Sequence, residues 1–173
     1  MTTLAIFHRP HLEYPTQQFD EFDQIAALLA AAGLQLERWH TGDTPADVDG
    51  DALLARFRQD IDRLSQREGY TSADVISLTP EHPDRAALRE KFLQEHTHSE
   101  DEVRFFVRGS GTFFVPAGEQ VYRLTCQAGD LLRVPVNTPH WFDSGEFPDF
   151  TAIRIFTNPS GWVGHFTGRP TFH

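Results

Sequence analysis

From Gln94 to the C-terminus, glycine-bearing breaks cut the chain into short runs with alternating apolar residues. The breaks are Gly109-Ser-Gly111, Pro116-Ala-Gly118, Gln127-Ala-Gly129-Asp130 and Asp143-Ser-Gly145. The runs between them are Val103–Val107, Thr112–Val115, Val121–Cys126, Leu131–Val136 and Thr151–Thr157. Short strands with turn signals at this spacing predict an antiparallel sandwich or barrel. The first 93 residues have a different texture. Helices are expected over Gln18–Ala32, Asp51–Arg67 and Pro83–Phe92, with Gly33 and Gly69 as stops and Pro83 near a first turn. Strands are expected at Leu4–Phe7, Leu34–Trp39 and Ala73–Leu78. No Pro/Ser/Gly linker marks the seam near residue 93. One α+β, mainly β domain is therefore expected over residues 1–173, with a mixed part at 1–93 and a β part at 94–173.

Several function classes are disfavoured. The longest apolar run, Ile25–Leu34, is about half a membrane span and contains Gly33. The N-terminus lacks the basic and apolar regions of a secretory signal. A single cysteine, Cys126, excludes an internal disulfide framework and a cysteine-built zinc site. The net charge is −10, from 15 basic and 25 acidic residues, which argues against nucleic acid as a partner. Residues 1–90 hold 16 of the acids and 8 of the bases, so the excess acid lies mostly in the first half and reads as solvated surface. A cytoplasmic protein with no membrane partner is expected, and no strong interface signal argues against a monomer.

Five of the nine histidines, His8, His11, His40, His82 and His173, stand alone and read as surface or hydrogen-bonded groups. His165 sits in a glycine-flanked tail. The other three belong to a pattern. His96 and His98 are two apart, so a strand presents both imidazoles on one face. Ser99-Glu100-Asp101 suits a turn, and Glu102 can return toward the same point. A third imidazole is available at His140, after the apolar run Leu131–Val136. Two or three imidazoles with one carboxylate suit a first-row divalent ion better than calcium.

The stretch resembles the cupin metal motif His-x-His-x3-Glu-x6-Gly, closing on Gly109. Gly129, Pro135 and His140 partly match the second cupin motif. Asn137 stands in place of a glycine there, and asparagine tolerates a left-handed turn. Ser144 replaces the final asparagine, and Arg89-Glu90-Lys91 occupies the neighbourhood of a missing glycine. The finer pattern resembles the acireductone dioxygenase family. Its matching segments are Phe92-x-x-Glu95-His96-x-His98-x-x-Asp101-Glu102-x-Arg104, Gly109-Ser-Gly111-x-Phe113, Gly129-Asp130, Pro135, His140-x-Phe142, Ala152-x-Arg154-x-Phe156, Trp162 and Gly168-Arg169-Pro170. The likeness spans about residues 90–170.

The resemblance implies a cupin-type β-sandwich or barrel, with His96, His98, Glu102 and His140 holding one Fe(II) or Ni(II). It implies dioxygen as co-substrate and the methionine-salvage enediol-ketone 1,2-dihydroxy-5-(methylthio)pent-1-en-3-one as substrate. The iron form of the family gives 4-methylthio-2-oxobutanoate and formate. The nickel form gives 3-methylthiopropanoate, formate and carbon monoxide. Arg104, two residues beyond Glu102, is expected to face the enediolate and stabilise its charge. Arg154 lies on an otherwise apolar strand face and is either a pocket cation or half of a buried ion pair. Phe92, Phe142 and Trp162 are candidates for the methylthio end. Glu95 and Asp101 are candidates for accepting a hydrogen bond from a ligand imidazole. The competing readings are another cupin dioxygenase, a metal-dependent isomerase, or a non-catalytic metal or small-ligand sensor.

Overall fold

A computed structural model describes residues 1–173. In chain order the elements are β1 (Thr3–His8), β2 (Gln17–Phe19), α1 (Phe22–Ala31), β3 (Gln35–Arg38), α2 (Gly50–Arg56), α3 (Arg58–Glu68), β4 (Ser72–Leu78) and α4 (Arg85–Phe92). Then follow β5 (His96–Thr97), β6 (Glu102–Ala117), β7 (Gln120–Gln127), β8 (Asp130–Val134), β9 (Trp141–Asp143), β10 (Phe150–Phe156), a 3₁₀ turn (Pro159–Trp162) and β11 (His165–Phe166).

Nine of the strands form one curled antiparallel sheet, and β6 is its axis. The first half of β6 pairs with β8 and β10; the second half pairs with β7 and β9. From there the sheet continues through β7 to β1 and β2, through β10 to β4, and through β8 to β3. Strands from the first 93 residues are thus built into the same sheet as those of the second part. No helix is long and apolar enough to cross a membrane.

Alternation along β6 and β10 decides what each face sees. Val103, Phe105 and Val107 pack with Ile153 and Ile155 beneath α2 and α3, against Leu53, Phe57, Ile61 and Leu64. The opposite face carries Phe106, Phe113, Phe150 and Ala152 into the main core, which α1 closes with Ile25 and Leu29. Glu102 and Arg104 share the parity of Phe106, so the same rule that fills the core places a carboxylate and a guanidinium inside the curl.

Some elements differ from the expectation. Gly109-Ser-Gly111 is not a turn; it lies within β6, where that strand passes from one set of partners to the other. Just before it, at Val107, the register against β10 slips, with Arg108 opposite Thr151 and Phe106 opposite Ala152. Gly109 has φ +72°, and a Cβ on it would come 1.8 Å from the Asp149 carbonyl oxygen. A side chain at Gly111 would strike the Phe142 ring. The glycines permit a sharp bend without ending the strand. The helix expected from Gln18 starts at Phe22, because Gln17–Phe19 pairs with β1. The helix expected over Asp51–Arg67 is divided at Phe57, whose ring meets Phe105 edge-on at 5.1 Å. The third begins at Arg85, with Pro83 just outside it.

Candidate metal centre

Two segments bring the three imidazoles together. His96 and His140 form an isolated backbone bridge, each amide donating to the other's carbonyl at 2.9 and 3.0 Å. The Asn137 amide donates to the His98 carbonyl at 3.0 Å. Asn137 has φ 60°, the single non-glycine residue with positive φ, so the asparagine takes the left-handed turn that its place in the motif suggested. The turn between β5 and β6 is tied down by Asp101. Its carboxylate accepts from the Val136 amide, the Tyr70 hydroxyl and Arg133 Nε at 2.9, 2.7 and 2.9 Å. Glu102 then opens β6 on the inner face.

One ligand atom from each of His96, His98, Glu102 and His140 lies within 4.8 Å of the others. All four residues are buried, His96 the most open at 9% exposure. The imidazoles are oriented by main chain. Nδ1 of His96 lies 2.7 Å from the Gln94 carbonyl oxygen, Nδ1 of His140 2.8 Å from that of Thr138, and Nδ1 of His98 3.3 Å from that of Val163. A carbonyl only accepts, so each Nδ1 carries the proton and each Nε2 turns a lone pair inward. Nε2 of His140 and of His98 sit 2.8 and 3.1 Å from the same Glu102 oxygen. Two lone pairs facing one carboxylate oxygen require either a second proton on each ring or a shared cation. Burial pushes the His96 imidazole down to about 4, and the neighbouring His140 adds to the shift. Burial alone would raise the Glu102 carboxyl, but the surrounding charges, Arg104 first, outweigh it and hold it well below the usual range. Three imidazoles converging on a buried carboxylate fit a divalent cation, and these four residues form a metal-binding site.

The site forms the floor of a cavity of about 520 Å³. Arg104, Arg154, Phe92, Phe142 and Trp162 all line it. Arg104 Nη2 forms an ion pair with the second Glu102 oxygen at 3.1 Å, with its guanidinium 4.8 Å from the Phe142 ring centre. Arg154 is both of its expected alternatives. It lines the cavity and is paired through two bonds to Asp74, at 2.7 and 2.5 Å, while lying over Trp162 at 4.5 Å.

Glu95 and Asp101 do not meet an imidazole. Glu95 is buried away from the ligands, accepting from Thr167 Oγ1 at 2.7 Å and facing Arg169. Asp101 holds the turn just described. The reason is physical: each ring's Nδ1 is already taken by a carbonyl. The sequence reading also missed lining residues, among them Ile76, Val163, Phe166 and Lys91. Lys91 carried a usable signal, since it is the only lysine in the chain. Asp74 was missed because its role appears only once β4 is set beside β10.

Comparisons with known proteins agree with this geometry. The model of the ARD/ARD' family matches residues 7–164. The chain is 71% identical, over the full length of both, to acireductone dioxygenase 1 of Pectobacterium atrosepticum. It is 51% identical to the acireductone dioxygenase of Marinobacter nauticus, over 97% of this chain and 91% of that one. A solved acireductone dioxygenase from Bacillus anthracis, with a cadmium ion in its active centre, superposes with a TM-score of 0.85 at 29% identity, covering 96% of this chain and 98% of that one. That likeness identifies the curled sheet as the cupin type. A cupin sheet, a buried three-histidine, one-carboxylate floor and a family match across most of the sequence lead to one assignment: the chain belongs to the ARD/ARD' family of acireductone dioxygenases and is a metal-dependent dioxygenase.

Proposed function

We propose that the chain holds one Fe(II) or Ni(II) through His96, His98, Glu102 and His140, and that it cleaves 1,2-dihydroxy-5-(methylthio)pent-1-en-3-one with dioxygen in methionine salvage. The observation that carries this reading is the convergence of Nε2 lone pairs on an ionised, buried carboxylate at the floor of an arginine-walled cavity. A bound divalent ion supplies Lewis acidity toward the substrate's oxygens.

The chain's own residues do the rest. Arg104 lies beside the floor and stabilises the enediolate charge, and its planar fork orients a flat anion. Arg154, pinned by Asp74, limits where that anion lies. Phe92, Phe142 and Trp162 supply apolar surface for the methylthio arm and keep water from the reacting end. The iron form consumes one dioxygen and yields 4-methylthio-2-oxobutanoate and formate. The nickel form divides the same atoms into 3-methylthiopropanoate, formate and carbon monoxide. The protein works as a cytoplasmic monomer, with no nucleic acid or membrane partner.

Reloading metal-stripped protein tests this reading. Iron-loaded protein is expected to take up oxygen with synthetic acireductone and give the keto acid; nickel-loaded protein is expected to release carbon monoxide. Identical products from verified loadings would remove the metal-dependent outcome. No oxygen uptake with either ion would remove the assigned reaction.

A further inference from the structure

Three side chains bring full positive charge to the cavity, and two are already matched by a carboxylate. Arg104 is paired with Glu102 and Arg154 with Asp74. The third, Lys91, has no carboxylate within salt-bridge distance and is exposed at the cavity rim. It is also the only lysine among 15 basic residues. Its position is fixed. It lies in the last turn of α4, between Arg89, which grips Asp143 through two bonds at 2.7 and 3.1 Å, and Phe92, which meets Phe142 edge-on at 6.1 Å. Five residues beyond it the chain enters the metal floor at His96. A free ammonium on a long mobile stem is thus held at the entrance of a site in a chain of net charge −10.

We propose that Lys91 is the capture residue of the pocket: its unpaired charge draws the enediolate anion to the mouth of an otherwise acidic protein and delivers it to the metal and Arg104. The proposal rests on the acireductone reading above. Electrostatic capture at a cleft raises the rate of productive encounter and weakens with salt, whereas the chemical step on the bound substrate does not need the rim charge. The structural alternative is a cation that merely suits the C-terminus of α4. That role would appear in thermal stability and not in salt-dependent kinetics.

The test uses metal-loaded protein and compares wild type with Lys91→Gln, Lys91→Arg and Lys91→Glu. At low ionic strength, Lys91→Gln is expected to lower kcat/KM about threefold to tenfold, with the loss carried by KM. Its kcat/KM is expected to lose most of the wild-type salt dependence. Lys91→Arg is expected to restore both, and Lys91→Glu to fall below Lys91→Gln. Wild-type kcat/KM and wild-type salt dependence in Lys91→Gln would overturn the proposal. So would a loss confined to melting temperature. If wild-type protein does not turn over acireductone at all, the reaction assignment fails instead. Capture is then read by titrating ascorbate, itself an enediolate, into wild type and Lys91→Gln. Tighter, salt-sensitive binding by wild type supports the rim cation, and equal binding refutes it.

Discussion

Two arginines reach the cavity from adjacent strands, and they are held in opposite ways. Arg104 on β6 stands directly opposite Arg154 on β10, and Arg154 stands directly opposite Asp74 on β4. Like charges in register across a sheet repel, so each guanidinium needs its own acid. Arg154 takes Asp74, a partly exposed carboxylate outside the ligand set. Arg104 takes Glu102, a member of that set, and burial presses its charge downward against the attraction of that carboxylate. The wall around Arg154 is therefore complete without the floor, while the wall around Arg104 shares its counter-ion with the floor. Arg104 also keeps a buried Nε without a hydrogen-bond partner, a donor that the fold alone does not satisfy.

The largest expected effect comes from breaking the floor itself. His98→Ala removes one inward Nε2 and leaves Glu102 with fewer neighbours. Metal content and oxygen uptake are expected to fall together, to near background, while Asp74→Asn leaves the metal in place. Elemental analysis after dialysis, followed by the oxygen electrode, checks both. Full metal occupancy in His98→Ala would contradict the ligand role and erase the distinction between floor and wall.

Next in size is the contrast between the two arginines. Arg104→Ala is expected to retain the ion and lose about 10²-fold in turnover, the scale seen when a preorganised donor to developing charge is removed. Arg104→Lys is expected to recover only part, since an ammonium lacks the planar fork. Arg154→Ala is expected to cost about tenfold or less, because its charge is already matched by Asp74. It is also expected to loosen Trp162, which loses a cation–π contact worth about 0.5–1 kcal/mol. Equal losses in the two alanine variants, measured as kcat at matched metal content, would show that counter-ion location does not divide their roles.

The contrast also marks what a linear reading can see. The His96, His98 and Glu102 set was legible because two-residue periodicity on a strand and one tight turn are local facts. His140 and Asn137 were legible as a motif, and the positive φ at Asn137 follows from the same turn. Arg154 was legible only as a choice between pocket and ion pair, since its partner lies 80 residues away on a strand whose register no local pattern sets. Glu95 and Asp101 were misassigned for a related reason. Adjacency to a ligand in sequence fixes neither side-chain direction nor whether a backbone carbonyl has already claimed the ring nitrogen. Gly109-Ser-Gly111 reads as a turn by composition. Only the crowding from Asp149 and Phe142 shows that its glycines let a strand bend without ending.

The smallest effect concerns the turn that carries Glu102 away from His98. Asp101 supports neither arginine directly; it joins Tyr70, Arg133 and the Val136 amide and so holds the floor from behind. Burial alone would raise its carboxyl, but the bonds from Tyr70, Val136 and Arg133 together hold it below the usual range. The folded group therefore ionises at lower pH than it does in the unfolded chain. Its stabilisation is complete above about pH 5 and fades as pH falls through the folded value. Asp101→Asn keeps the shape but not the charge, and is expected to cost about 1–2 kcal/mol at pH 7, a few degrees in melting temperature. The gap between wild type and variant is expected to narrow on acidification below pH 5, because wild type alone loses this carboxylate. Metal content is measured at each pH in both proteins, so that loss of the ion is separated from loss of the carboxylate. A gap that stays constant from pH 7 to pH 3 would mean that the three contacts hold the turn without help from the charge, and that the floor is as independent of its surroundings as the Arg154 wall.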